Sequence, residues 1–250
     1  MRLAPLAWLV VFAFLALAAP AWAADVEEAN ALVDELETER KNKDPGAMIM
    51  AIEKVPAVYK SIDDKSARGK LLGALGKIAK DKKAAEARPA AVTALVQVED
   101  PKPAWKQISK LMPGPKVEEA SDLDLAVVNA AGELAQSRAL KPLYELLGKA
   151  KDNKLARAAG IALGGYGADK RGRVKVLEEL IDIGKRIRPG RSTDKVVSPE
   201  ATARWREVGP GITKGLNRLT GQDLGTFEEW EAVYKENKKR PSDLFVEDDA

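Results

Sequence analysis

The stretch LKPLYELLGKAKDNKLARAAGIALGGYG, Leu140 to Gly167, decides how this chain folds. Its leucines and one proline belong to a first helix, a charged turn ends in Asp152-Asn153, and Leu155, Arg157, Ala158, Ala159 and Ala162-Leu163-Gly164 belong to a second. Helices joined by so short a turn pack antiparallel, so the unit is a helical hairpin. The same signal extends outward in both directions. Apolar residues recur at intervals of three and four from Val26 onward, as in Leu71, Leu75 and Ile78, or Val174, Leu177, Leu180, Ile181 and Ile187. Each set is a stripe on one helix face that requires a neighbour. No run alternates as a half-buried strand does, so helices are expected near 25–41, 45–62, 65–80, 84–98, 102–112, 121–136, 138–150, 153–165, 170–188, 198–207, 209–220 and 226–238. Asp44-Pro45 and Ser198-Pro199 each put a capping side chain before a proline suited to the first helical turn. MPGPK, Met112 to Lys116, cannot continue a helix.

The hairpin has relatives within the chain. AAGELA at Ala130 returns as AAGIAL at Ala158, an offset of about 28 residues, and ALGKIA at Ala74 lies about two such steps earlier. Small residues at matching places let one helix backbone approach the next closely. On these residues Leu140 to Gly167 resembles the short HEAT-like α-helical repeats of exported bacterial proteins; Ala67 to Gln97 resembles them less closely, and Asp100 to Ala120 departs from them. The resemblance implies an all-α fold, an irregular HEAT-like α-solenoid of stacked hairpins.

The first residues have a different character. Arg2, an apolar run from Leu6 to Ala19, Pro20, and Ala21 and Ala23 flanking Trp22 predict a signal peptide cleaved after Ala23. The run is shorter than the roughly 20 residues a bilayer-spanning helix needs, and no later segment is apolar for long enough. The expected product is exported, periplasmic or extracellular, with no transmembrane span. Beyond Ala23 the chain carries 40 basic and 38 acidic residues, so its global field steers polyanions weakly and nucleic acid is a poor partner. Cysteine and histidine are both absent. That removes disulfides, thiol chemistry, the Ser-His-Asp arrangement and the commonest zinc sites. No metal and no cofactor is expected.

The remaining resemblances to catalytic motifs have structural explanations. Glu118-Glu119 and Glu178-Glu179 are adjacent pairs, which point about 100° apart on a helix. Ser192 and Lys195 form S-x-x-K without its partner motifs, and Gly164 to Gly172 is glycine-rich but lacks G-K-[S/T] and follows a helix. In RLTGQDLGTFEEW, Arg218 to Trp230, Gly221 suits a left-handed helix end, Leu224 folds back on the last turn, and Thr226 with Glu229 has the spacing of a capping box. Phe227 and Trp230 then seal a hinge between two helices. The stretch is similar to an LTGQ…W sequence of exported bacterial HEAT-repeat proteins, where it ends the solenoid.

One charged cluster remains. Lys170, Arg171, Arg173 and Lys175 open an amphipathic helix, and Lys185, Arg186, Arg188, Arg191 and Lys195 crowd its end and the following loop. Cations at a helix C-terminus complement its dipole, which makes this a solvated helix end; the rival reading is a contact for an anionic lipid headgroup, an acidic glycan or an acidic protein surface. The expected organisation is a signal peptide over 1–23, a repeat region over 24–188, a basic loop over 189–197 and a C-terminal helical cap over 198–250. With no catalytic set visible, the expected function is a non-catalytic scaffold or protein-binding module whose partner is another envelope or exported protein. The alternatives are a peripheral envelope-binding protein using Lys170, Arg171, Arg173, Lys185, Arg186, Arg188 and Arg191, and a lyase-like or carboxylate-dependent enzyme with its site in a helical groove.

Overall fold

The computed structural model describes residues 21–167, 170–190 and 198–246, with side chains from residue 25 and without those of Lys170 and Arg171. The apolar run Leu6 to Ala19 and the loop residues 191–197 lie outside the described residues. Eleven α-helices are found among the described residues, and no strand. They are α1 (Ala21–Asn42), α2 (Pro45–Ser61), α3 (Lys65–Lys80), α4 (Ala87–Gln97), α5 (Pro101–Ile108), α6 (Asp122–Leu134), α7 (Leu140–Lys149), α8 (Asn153–Leu163), α9 (Lys170–Ile187), α10 (Pro199–Thr220) and α11 (Phe227–Glu236), with short 3-10 turns between some of them.

Side-chain caps set most of the boundaries. Asp44, Asp64, Asp152 and Ser198 each accept a hydrogen bond from a backbone N–H in the first turn of the helix that follows, and Ser121 with Asp124 closes a full capping box. Two expected helices, 198–207 and 209–220, are in fact one. Pro210 sits exposed inside α10, while Val208, Ile212, Leu216 and Leu219 are fully buried on either side of it. A proline inside a helix costs about 3 kcal/mol, and a buried aliphatic side chain returns about 1.5–3 kcal/mol. Four such side chains on one face outweigh the lost hydrogen bond.

Packing follows two series of contacts. Consecutive helices pair as α1 with α2, α3 with α4, α7 with α8 and α9 with α10. The even helices then contact one another in order, α2 to α4, α4 to α6, α6 to α8 and α8 to α10. Among the odd helices α1 meets α3, α3 meets α5 and α7 meets α9, but the series is interrupted between α5 and α7. The ALGKIA stretch lies on α3, in the odd series, so it is not the counterpart of AAGELA on α6 and AAGIAL on α8.

The closest approaches join α6, α8 and α10. A Cβ placed on Gly132 of α6 would stand 2.6 Å from the Ala162 Cα of α8, and one on Gly215 of α10 would meet the Gly160 carbonyl of α8. Tyr166, just beyond α8, donates its hydroxyl to the carbonyls of Ala131 at 3.1 Å and Gln136 at 3.3 Å, tying the end of α8 back to α6.

The Arg218 to Trp230 stretch is a hinge and cap. Gly221 has φ +76° and donates its N–H to the Asn217 carbonyl at 2.9 Å. Thr226 and Glu229 form the capping box of α11, while Phe227 and Trp230 are buried. Asn217 clasps the turn, accepting from the Trp230 indole at 2.7 Å and donating to the Leu224 carbonyl at 3.0 Å.

Candidate functional site

The cations singled out in the sequence go to different surroundings. Arg188 pairs with Glu228 at 3.3 Å and with Glu231, both on α11, and lies over the Phe227 ring with 5.7 Å to its centroid. Lys185 stands 5.6 Å from the centroid of Tyr234 on the same helix. Arg173 stacks on Phe245 at 5.1 Å, and its buried Nε has no hydrogen-bond partner. Arg186 is exposed and turns toward α7, in a groove it shares with Tyr144, Glu145 and Glu179. Lys170 and Arg171 lie in the first turn of α9, their side chains outside the described residues, and Arg191 lies outside them altogether. Successive helical positions differ by about 100°, and this spreads 185, 186 and 188 between α11 and α7.

The groove between α9 and α11, about 700 Å³, sets Glu178, Asp182 and Glu231 against Lys185, Lys235 and Lys238. Its three carboxylates and three ammonium groups balance in number. A second groove, about 320 Å³ between α4 and α6, mixes Val96, Leu125 and Asn129 with Asp122 and Glu133. The first groove mixes both signs, and the second carries acidic charge alone.

A third groove carries basic charge alone. It opens where α5 and α7 do not pack extensively, holds about 530 Å³, and is lined by Lys102, Lys106, Lys110, Arg138, Trp105 and Met112 among others, with no acidic residue in its wall. All four cations are exposed, and none makes an ion pair or side-chain hydrogen bond with a described residue. The sequence builds this wall simply. Ala104, Trp105 and Ile108 turn α5 inward, which leaves Lys102, Lys106 and then Lys110, in the 3-10 turn Ser109–Leu111, along one outer edge. Arg138 comes from the 3-10 turn Ser137–Ala139 ahead of α7 and faces them.

Beyond α5 the positive field continues. The Lys80 ammonium donates to Gln107 at 3.0 Å, and burial lowers its pKa below the usual lysine value, with the nearby Lys110 charge acting in the same direction. The chain leaves α5 through Met112 to Ala120 and is fastened to the α7–α8 turn: the Lys151 N–H donates to the Pro115 carbonyl at 3.0 Å, and the Ala120 N–H to Asp152 at 3.0 Å. Burial of Asp152 opposes its ionisation, but the N–H donors of Ala120, Leu155 and Lys154 outweigh it and hold the carboxyl below its usual range.

The sequence carried two signals of this groove, the unfavourable i, i+4 spacing of Lys102, Lys106 and Lys110 and the break in the repeat pattern over Asp100 to Ala120. Arg138 carried none, because only the fold brings it opposite. What the arrangement can do chemically is collect negative charge beside an indole. Among the described residues no group of three or more carboxylates stands close enough to hold a metal ion, and no helix is long and apolar enough to cross a membrane. Compared with known proteins, the chain matches no family model and no curated protein.

Proposed function

We propose that the chain is a non-catalytic binding module, an irregular HEAT-like α-solenoid exported to the cell envelope, which holds an envelope or exported protein on the groove between α5 and α7. The observation that carries this reading is the four exposed cations around an open groove of about 530 Å³ with no acidic residue in its wall. Uncompensated like charges destabilise a fold, and a cleft lined by one sign of charge concentrates ligands of the opposite sign. The two contact series support the solenoid, since stacked hairpins present an extended surface. Arg2, the apolar run and the Ala21–Ala23 spacing support export. Arg188 and Lys185 are engaged by α11, and this favours the α5–α7 groove over the α9 segment as the contact.

The test is capture of partners from envelope extract by the wild-type chain and by the exposed double variant Lys106→Glu, Arg138→Glu. The reading expects a discrete protein retained by the wild type and lost on the variant, with capture unchanged in Lys235→Glu, Lys238→Glu. Equal capture by all three chains would remove the groove from the function.

A further inference from the structure

The sign of the groove selects its ligand's charge, and its spacing selects the ligand's shape. Lys102 and Lys106 lie four residues apart on α5. At a rise of about 1.5 Å per residue this is about 6 Å. Lys110 follows at the same interval, but in the 3-10 turn Ser109–Leu111. The rise there is about 2 Å per residue, so the second step is longer than the first. Side chains on one face of an extended chain recur every second residue, about 6.6–6.8 Å apart. The lysine row therefore repeats close to the period of an extended strand's side chains. Arg138 stands on the opposite wall with five N–H donors, and Trp105, 8% exposed, shares the lining with Met112 and Pro142.

From this we infer that the α5–α7 groove takes an extended acidic segment of the partner protein, with carboxylates on every second residue facing Lys102, Lys106 and Lys110. The inference rests on the binding-module reading and adds the form of the ligand. A helix with glutamates four residues apart offers similar spacing but is about 10–12 Å wide, broader than a single extended strand. An acidic segment that is disordered when free samples extended conformers and pays its ordering entropy on binding. Exposed pairs contribute little singly, so three in register with an arginine opposite are needed for a measurable affinity.

The experiment is calorimetric titration of the full chain with two synthetic peptides of equal length that carry the same few glutamates, spaced two residues apart in one and four residues apart in the other. Vesicles containing phosphatidylglycerol form a third arm. The expected result is that the every-second peptide binds at least several-fold more tightly, that raising salt weakens it, and that Lys106→Glu, Arg138→Glu weakens it by about tenfold or more at an unchanged melting temperature. Should that variant melt early, Lys102→Gln, Lys106→Gln gives the same comparison. Equal affinity for the two peptides, with partner capture still dependent on the groove, overturns the extended segment and leaves the binding module standing. Binding to vesicles alone replaces the acidic segment with a lipid surface. Absence of binding in all arms, together with capture indifferent to the groove, overturns the inference and the function on which it rests.

Discussion

The contact of α6, α8 and α10 and the gap between α5 and α7 are opposite solutions to joining neighbouring hairpins. At the first, Gly132 faces Ala162 and Gly215 faces Gly160, so backbones touch without charge between them. At the second, two helices of one series stay apart and four cations line the space. The first includes the similar AAGELA and AAGIAL stretches, and the second adjoins the segment Met112 to Ala120, which has no similar counterpart. Regularity supplies stability here and irregularity supplies an unsatisfied surface, a division that mutations can test.

The largest effect belongs to the close contact. Gly215→Val puts a branched side chain where the Gly160 carbonyl of α8 already lies, and a helix backbone cannot yield as a side chain does. The expected loss is about 3 kcal/mol or more, read as a fall in chemical-denaturation midpoint. Gly114, in the interrupting segment, has open space around its Cβ position. Gly114→Ala should change stability by about 0.5 kcal/mol or less. Equal losses in the two variants would end the contrast.

Tyr166 gives the next test. Burial, with the neighbouring Tyr144, raises its phenol pKa well above the ordinary value, and burial likewise raises Tyr144 to about 12; Tyr59 reaches about 12 through burial and its bond to Asp100. A phenol whose folded pKa is raised contributes stability that is whole below the unfolded value of about 10 and is lost as pH rises through the folded value. Stability should therefore fall between about pH 10 and 12. Tyr166→Phe should cost about 1 kcal/mol at pH 8 through the lost hydrogen bonds to α6, and should make the alkaline fall shallower. Denaturation at pH 8 and pH 11 measures both, and an unchanged alkaline slope would remove Tyr166 from the cause.

How much was legible in the sequence follows from the range of each signal. Apolar periodicity and caps act within a few residues, so most helices and the Thr226–Glu229 box could be read directly. The single helix across Pro210 could not, because its continuity comes from burial against other helices. The basic residues of α9 were plain as a cluster, but the carboxylate that meets Arg188, Glu228, lies 40 residues further along the chain. Local density of charge was visible and its compensation was not. The groove was harder still, since it arises where α5 and α7 do not pack extensively.

At the helix-capping scale the hinge sharpens the comparison. Thr226 accepts the Glu229 N–H at 3.2 Å, far from the cationic groove in the chain. Thr226→Ala should cost about 1 kcal/mol of stability and leave partner capture intact, as thermal melts beside the capture assay would report. Loss of capture at an unchanged melting temperature would make this turn a contact surface.

The smallest effect distinguishes the groove from an ordinary solvated surface. Lys106 and Arg138 are exposed, make no ion pair with a described residue, and face each other among two further lysines. Removing both as Lys106→Ala, Arg138→Ala takes away repulsion and little packing, so the fold should gain up to about 0.5 kcal/mol at low salt. Salt weakens repulsion between exposed charges once the Debye length falls to about 10 Å or less. The stability change from about 0.01 M to 0.15 M salt should therefore be more favourable for the wild type than for the double variant, which keeps the same attractive pairs elsewhere. Denaturation curves at the two salt concentrations read the difference directly. A variant that loses stability at low salt would mean that the cations are already compensated within the chain, and the groove would then resemble the α9–α11 surface rather than oppose it.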